Sequence, residues 1–275
     1  MSIDRKINRI QFLTGNSLKF IAVLTMVIDH LCKIVLQWLL SNYWGPMVDN
    51  EQMSWERFQE IDNLIRFDLQ SIGTIAFPLF CFLLAEGFQH RSKKRYIGLM
   101  LAFALISEIP FDIGFFSAYS RMEGTFPFYL KYQNVFFTLF LGLLTLVCLE
   151  RFSCESDLPV DRIKSVVLQV LSVVLFSSIA EGIRCDYGMQ GILFISAFYI
   201  CRNHRIYQVL LFLLAYMGAT GNQPPLCTLL AGLLILLYNG KRGKLKLKYF
   251  FYVFYPAHIL ALYLIQVGLG KYLLK

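Results

Sequence analysis

Ionisable side chains stand inside strongly apolar stretches of this sequence. The first stretch holds the adjacent residues Asp29 and His30, with Lys33 four positions after Asp29. A carboxylate beside an imidazole can fix its tautomer and raise its basicity, and residues four apart on a helix can pair on one face. These residue types side by side are suited to acid–base chemistry.

Further polar residues interrupt the apolar stretches that follow. Glu108 and Asp112 are four residues apart with Pro110 between them, so we expect one kinked helix that carries both carboxylates. An ionisable side chain costs about 2.5–3.5 kcal/mol at the centre of a membrane helix on insertion scales, and pairing, water or function must offset that cost. We therefore expect helix packing to gather these residues in one polar cavity, together with Glu86, Gln133, Asn134, Asp186 and His258.

A simpler interpretation is that these polar side chains only hold helices together. Polar groups do bridge membrane helices for modest gains in stability, and a single residue such as Asn134 fits that role as well as a chemical one. The number of ionisable residues at similar depth favours a functional site over helix packing alone.

Composition points to lipid as the main solvent. Of the 275 residues, 57% are hydrophobic and only 16% are charged, whereas soluble domains average roughly 25% charged residues. The net charge of +8 falls in short clusters between apolar runs, which excludes a continuous basic surface for nucleic acid. The seven cysteines are scattered without metal-ligand or disulfide-framework spacing, so we expect no metal site.

The elements that position the polar residues are apolar runs of near membrane-spanning length. They predict an all-α, polytopic transmembrane helical bundle of about nine spans, which forms a single integral membrane domain over residues 1–275. The first run is too long for a cleavable signal peptide and is expected to be retained. The runs lie at about 17–40, 72–89, 96–117, 130–149, 163–180, 187–201, 205–220, 224–238 and 249–269.

Basic clusters alternate with these spans and predict the topology. Arg5, Lys6 and Arg9 precede the first span, Arg91–Arg95 follow the second, and Lys241–Lys248 follow the eighth. Because Lys and Arg concentrate on the cytoplasmic side, we expect a cytoplasmic N-terminus and a multi-pass protein of the inner, cytoplasmic membrane.

The segment 41–71 has a pattern of its own. Acidic residues alternate there with apolar residues at helical spacing. We expect an amphipathic segment on the outer surface or a lid over a site. The apolar positions are Trp55, Phe58, Ile61, Leu64, Ile65 and Leu69.

Several stretches together resemble the TraX-type family of membrane acetyltransferases, named for the protein that N-acetylates conjugative pilin. The specific part is Ser-Glu-Ile-Pro-Phe-Asp at 107–112 followed by Gln-Asn-Val-Phe-Phe-Thr at 133–138. The chain is also similar to the wider group of transmembrane acyltransferases, in which a histidine in an early span is the expected base. Matching stretches are LKFIAVLTMVIDH (18–30), IGTIAFPLFCFLLAEGFQH (72–90), ALISEIPFDIGFF (104–116), QNVFFTLFLGL (133–143), DYGMQGIL (186–193) and FYPAHILALYLI (254–265).

The resemblance implies transfer of an acetyl group from cytoplasmic acetyl-CoA to an exported acceptor, which is a protein such as pilin, a glycan or a lipid. His30 would be the base, Asp29 would orient it, and Asn134 or Gln133 would stabilise the oxyanion. The expected catalytic residues are His30, Asp29, Glu108, Asp112 and Asn134. The expected substrate-binding residues are Gln133, Asp186, Tyr187, His258 and Glu86, and the CoA phosphates are assigned to Arg91, Lys93, Lys94 and Arg95.

The main alternative is a proton-coupled membrane transporter. Intramembrane carboxylates and histidines on a kinked helix also describe a proton relay. The sequence lacks the paired inverted repeats with matching broken helices that many transporters have. Stabilisation of the protein by CoA would separate the two functions.

Overall fold

The computed structural model of the chain describes residues 11–90, 92–154, 156, 158–245 and 249–274. These residues form nine helices, and among them no β-strand is present beyond two isolated bridges. The all-α prediction is therefore confirmed, and each predicted apolar run coincides with one helix. The helices are α1 (Gly15–Asp49), α2 (Trp55–Gln89), α3 (Lys93–Met122), α4 (Val135–Arg151), α5 (Pro159–Gly182), α6 (Gly188–Ile200), α7 (Arg205–Thr220), α8 (Leu226–Leu236) and α9 (Phe250–Leu273).

Length divides these helices into two groups. Five of them, α1, α2, α3, α5 and α9, are long and apolar enough to cross a membrane. Helices α6, α7 and α8 are apolar but shorter, as expected from the short runs in the sequence, and α4 has 17 residues. Several apolar helices thus indicate a multi-pass membrane protein, while the count of nine spans and the cytoplasmic N-terminus stay predictions.

Helix α1 continues beyond the predicted end of the first span at residue 40 and reaches Asp49. Two side chains in this extension bond back to the helix: the Ser41 hydroxyl donates to the Gln37 carbonyl oxygen and the Asn42 amide donates to the Trp38 carbonyl oxygen. Such bonds satisfy polar side chains without breaking the helix. Two π-helical turns, Cys32–Leu36 and Leu40–Trp44, lie within α1.

The predicted outer segment 41–71 is helical, but it is not a separate element. Ser54 caps α2 by accepting a hydrogen bond from the Arg57 backbone N–H, and the helical segment continues to Gln89 through a π-helical turn at Leu64–Leu69 and a 3-10 turn at Gly73–Ile75. Ile65 is buried against Cys32 and Leu40 of α1. Phe58, Ile61 and Leu69 of the apolar stripe pack with Ile65 against α1.

The chain divides into two compact units, and neither is continuous in sequence. The first unit contains the described residues up to Leu18, together with Pro78–Leu105 and Leu130–Gly243. The second unit contains Lys19–Phe77, Ile106–Tyr129 and the described residues from Lys244 onward.

Helix α6 is the centre of the first unit, where it packs against α4, α5 and α7. Gly142 of α4 allows this close approach, because a Cβ atom there would lie 2.3 Å from Cδ1 of Ile195 on α6. Ile195 is fully buried. Phe194 of α6 and Phe212 of α7 pack edge to face with ring centroids 4.8 Å apart, an arrangement that stabilises aromatic pairs beyond their buried area.

In the second unit, α9 packs on the π-helical turn Cys32–Leu36 of α1. Gly114 brings α3 equally close to α9, since a Cβ atom at this position would lie 2.5 Å from Cγ2 of Ile259. Helices α1, α3 and α9 thus approach one another at the depth of Asp29 and His30.

We expect Gly142→Leu to destabilise the first unit, because overpacking a dense interior costs about 1–3 kcal/mol. The measurement is the apparent Tm of the purified protein in detergent. Gly218→Leu is the matched control, since a Cβ atom at Gly218 meets nothing within 4 Å. Equal Tm values for the two variants would contradict the close approach of α4 and α6.

Candidate active site

Two buried histidines from distant parts of the sequence form a hydrogen-bonded pair in the second unit. Nδ1 of His30 on α1 lies 2.7 Å from Nε2 of His258 on α9, and the planes of the two rings differ by only 6°. An imidazole N–H lies in the plane of its ring, so near-parallel rings suit a hydrogen bond from one ring edge to the other. The pair joins α1 to α9.

The partners of His258 fix the protonation pattern of both neutral rings. Nδ1 of His258 lies 2.8 Å from the carbonyl oxygen of Phe254. A carbonyl oxygen can only accept, so this nitrogen carries the hydrogen, and Nε2 of the neutral ring has a lone pair. Nδ1 of His30 must then donate to that lone pair. As a consequence, Nε2 of neutral His30 carries a lone pair of its own, as a general base requires.

Asp29 and Lys33 form an ion pair beside this nitrogen. Nζ of Lys33 donates to Oδ2 of Asp29 at 2.7 Å, as their spacing predicts. The same carboxylate oxygen is 3.9 Å from Nε2 of His30, which is close enough to attract a positive charge there but too far for a hydrogen bond. In this structure the ring of His30 is oriented through His258, and Asp29 contributes negative charge.

Aromatic side chains enclose His30. Phe115 of α3 packs edge to face against it with ring centroids 5.2 Å apart, and Tyr255 of α9 does so at 6.0 Å. His30, Asp29 and His258 are each at most 8% exposed. The surroundings of Nε2 therefore exclude most water, which strengthens electrostatic effects on any charge that develops there.

Gly73 of α2 permits Asp29 to occupy its position. A Cβ atom at residue 73 would lie 2.3 Å from Cβ of Asp29. The backbone of α2 therefore covers one side of this carboxylate directly, and only glycine leaves room for it.

The two carboxylates of α3 have other surroundings. Oδ2 of Asp112 accepts a hydrogen bond from the Tyr129 backbone N–H at 2.8 Å, and the residue is completely buried. Asp112 thus anchors the segment that follows α3. Glu108 is half-buried on the same helix. The side chain of α3 that meets His30 is Phe115, so a catalytic role for either carboxylate stays a prediction.

The predicted oxyanion donors belong to the first unit. Oδ1 of Asn134 caps α4 by accepting from the Phe136 backbone N–H at 3.0 Å, and its Nδ2 donates to the Ala104 carbonyl oxygen at 2.8 Å. Asn134 is fully buried. Its amide is the N-cap of α4 and a link from α4 to α3, so a second role as oxyanion donor stays a prediction.

The other predicted substrate contacts of the first unit lie near the start of α6. Gln133 and the segment after α5 exchange backbone hydrogen bonds, in which the Gln133 N–H donates to Arg184 and the Asp186 N–H donates to Gln133. Thr138 donates its hydroxyl hydrogen to the Asp186 carbonyl oxygen. Tyr187 has a φ of 65°, in the left-handed region. These contacts define the shape of this turn.

Glu86 and the basic residues also belong to the first unit. Oε1 of Glu86 accepts from Arg205 at 3.3 Å, so its partner is an arginine and not the nearby His90. Lys93 pairs with Glu150, while Lys94 and Arg95 are exposed.

Some of the predicted cationic residues lie outside the described part of the chain. They are Arg91 of the predicted phosphate contacts, Arg5, Lys6 and Arg9 before the first span, and residues 246–248 of the basic segment after α8. In the part that is described, no cluster of His, Cys, Asp and Glu side chains could hold a metal ion.

The sequence selected His258 as a polar residue but did not reveal that it bonds directly to His30. The two residues are 228 positions apart, and no periodicity connects them. Gln37 was also missed, although it lies four residues after Lys33 and extends the spacing that links Asp29 to Lys33. Its Nε2 donates to Oε1 of Gln70 on α2 at 3.0 Å.

Comparison with known proteins assigns this chain to a family. The family described as TraX protein matches residues 14–266. A curated relative, "Probable fimbrial assembly protein FimC, serogroup H1" of Dichelobacter nodosus, is 30% identical over 260 residues, covering 88% of this chain and 91% of the relative. No solved structure matches significantly. The chain therefore belongs to the TraX protein family.

Proposed function

We propose that this protein is a membrane acetyltransferase that uses Nε2 of His30 as its general base. It moves an acetyl group from acetyl-CoA to an exported acceptor such as the amino terminus of a pilin or another peptide. One observation carries the proposal: the chain of hydrogen bonds from Phe254 through His258 to His30 leaves a lone pair on Nε2, which is buried between aromatic side chains and the Asp29–Lys33 ion pair.

The transfer needs one proton acceptor that later becomes a proton donor. The neutral amine of the acceptor attacks the thioester carbonyl carbon, and Nε2 of His30 takes the amine proton as the new C–N bond forms. The C–S bond then breaks, and the imidazolium returns the proton to the departing CoA sulfur. The protein ends the cycle in its starting protonation state.

His258 and Asp29 each stabilise the charged form of His30. While Nε2 holds the transferred proton, Nδ1–H still donates to the lone pair of His258, so the cationic ring stays in place. The Asp29 carboxylate, 3.9 Å from Nε2, attracts the positive charge in a region of low dielectric. Lys33 balances the charge of Asp29 when His30 is neutral.

The family and its relative support an exported acceptor. TraX proteins are linked to pilin acetylation, and the relative from Dichelobacter nodosus is named for fimbrial assembly. The processed end of a pilin subunit carries one free α-amine. An amine is a suitable nucleophile here, because a histidine base can take its proton as it attacks the thioester.

The first prediction from this mechanism concerns His30. We expect His30→Ala to lower acetyl transfer by about 10²–10⁴-fold, the usual contribution of a general base. The assay follows labelled acetyl groups from acetyl-CoA to acceptor in proteoliposomes. His90→Ala is the control, because His90 is exposed at the end of α2. Normal transfer by a folded His30→Ala protein would remove this residue from the mechanism.

The second prediction concerns His258 as a positioning residue. We expect His258→Phe to lower kcat and to leave the KM for acetyl-CoA unchanged, because Nδ1 of His30 loses its acceptor and the required tautomer is no longer favoured. In His258→Gln, a side-chain oxygen can again accept from Nδ1, so part of the activity should return. Equal kcat values for the two variants would contradict the role given to the hydrogen bond.

The third prediction concerns the acyl donor, whose phosphates we assign to Lys93, Lys94 and Arg95. A ligand at one hundred times its Kd stabilises a protein by about 2.7 kcal/mol, so CoA should raise the apparent Tm in detergent. The double variant Lys94→Glu, Arg95→Glu should lose most of this rise, whereas Lys271→Glu, which changes another exposed lysine, should keep it. A Tm unaffected by CoA would instead favour the proton-coupled transporter.

A further inference from the structure

An open cavity of about 620 Å³ lies within the first unit, where the segment before α4 meets the turn after α5. This volume falls in the range of roughly 300–1,000 Å³ that is typical of small-molecule sites. Two of the lining side chains are cations, and no carboxylate is among the described residues that line the cavity. The lining consists of Leu130, Lys131, Gln133, Gly182, Ile183 and Arg184.

Backbone hydrogen bonds hold the two walls of this cavity together. The Gln133 N–H donates to the Arg184 carbonyl oxygen at 3.1 Å, and the Asp186 N–H donates to the Gln133 carbonyl oxygen at 2.8 Å. The Gln133 side chain closes the first wall, because its Nε2 donates to the Leu130 carbonyl oxygen at 3.0 Å. Lys131 and Arg184 are therefore carried by two segments that are bonded to each other.

Arg184 occupies a backbone position that normally selects glycine. Its φ is 52°, in the left-handed region. It follows the end of α5 in a Schellman arrangement, in which the Arg184 N–H donates to the Glu181 carbonyl oxygen and the Cys185 N–H donates to the Ala180 carbonyl oxygen. Glycine adopts this conformation without the cost that a Cβ atom brings. The arginine side chain is thus kept at this position in spite of backbone strain.

The guanidinium group of Arg184 is placed to receive an anion. Its Cζ atom lies 5.7 Å from the ring centroid of Tyr132, and stacking of this kind uses the face of the group and leaves its N–H edges able to donate. Those edges match the oxygens of a phosphate. The neighbouring carboxylate is engaged elsewhere, since Oε1 of Glu181 accepts from the Met189 backbone N–H at 2.7 Å.

The charge of Arg184 is unusual for its predicted side of the membrane. Lys and Arg are scarce on the outer side, where the segment after α5 is expected to lie. On that side of the second unit, Arg57 and Arg66 each pair with a carboxylate of their own helix. Arg184, in contrast, forms no ion pair with any residue that the structure describes. Its charge is therefore available to a bound anion.

Apolar surface leads along α5 to the same cavity. Helix α5 is long and apolar enough to cross a membrane, and residues four apart share a helix face. One such row of exposed apolar side chains ends at Ile183, which lines the cavity and is 43% exposed. Tyr132 is an exposed tyrosine beside it, and tyrosines are enriched at the level of lipid headgroups. The row consists of Leu171, Leu175, Ile179 and Ile183.

We propose that this cavity is a binding site for an anionic phospholipid. The phosphate binds to Arg184 and Lys131, and an acyl chain lies along the apolar row of α5. A free anion would use only the cationic wall, whereas a lipid also covers the apolar row and the exposed side chain of Leu130. The site does not depend on the proposed acetyl transfer, whose base belongs to the second unit.

Lipid titration of the purified, delipidated protein in an uncharged detergent tests this site. Dioctanoyl phosphatidylglycerol should raise the apparent Tm with increasing concentration, because a ligand that binds the folded state stabilises it. Dioctanoyl phosphatidylcholine has the same acyl chains without net charge and should raise the Tm much less. An equal rise with both lipids would overturn the anionic selectivity, and an equal rise with sodium phosphate would assign the cavity to a free anion.

Arg184→Gly removes the guanidinium group while it relieves the left-handed backbone. Without lipid its Tm should stay close to that of the unsubstituted protein, because the relief of strain offsets the lost attraction between a cation and the end of α5. The lipid concentration that gives half of the Tm rise should increase by about tenfold or more, as expected for the loss of a hydrogen bond to a charged group.

Two further variants complete the experiment. Lys131→Gln should also increase the half-maximal lipid concentration, and it decides the outcome if Arg184→Gly does not fold. Lys271→Gln is the matched control, since it removes another exposed lysine on the predicted outer side, and it should leave that concentration unchanged. A half-maximal concentration unaffected by the changes at both Lys131 and Arg184 would overturn the proposal, because the lipid would then bind elsewhere.

Discussion

The hydrogen bond between His30 and His258 is the interaction on which the proposed chemistry of this protein depends. It connects the first and last helices of the described chain, and it decides which nitrogen of His30 carries a lone pair. An imidazole alone has two tautomers of similar energy, and only one of them presents a basic nitrogen toward Asp29. The backbone carbonyl of Phe254 selects that tautomer through two successive hydrogen bonds, one to His258 and one from His258 to His30. A main-chain oxygen on a regular helix is a rigid acceptor, so the selection does not need an additional charged residue.

Lipid as a solvent explains how the other polar residues are arranged. Each of the best-defined ones has a specific partner: Lys33 for Asp29, Arg205 for Glu86, and the α4 backbone for Asn134. Removing a charged or amide group from water is costly unless such a partner replaces it. Pairing of this kind stabilises the fold. Among the described residues, several members of the expected site therefore also have structural partners of their own.

Close packing of backbone determines how tightly that centre is held. Gly73 lets α2 cover Asp29, and Gly114 lets α3 approach α9 near His258. Both glycines act by the absence of a side chain, and small residues at membrane helix interfaces commonly allow such approaches. The π-helical turn Cys32–Leu36 of α1 packs against α9.

By itself, the sequence determined the class of protein, the positions of the helices, the Asp29–Lys33 pair and His30 as the candidate base. These features follow from local hydropathy and helical spacing, which short stretches of chain contain. It did not predict that α1 continues past residue 40 to Asp49 or that residues 55–71 form the first part of α2, because a drop in hydropathy does not by itself end a helix. Only the tertiary structure decided that His258 bonds to His30, that Asn134 is a cap, and that Gln37 meets Gln70. Those contacts join residues far apart in the chain, and their geometry depends on how whole helices pack.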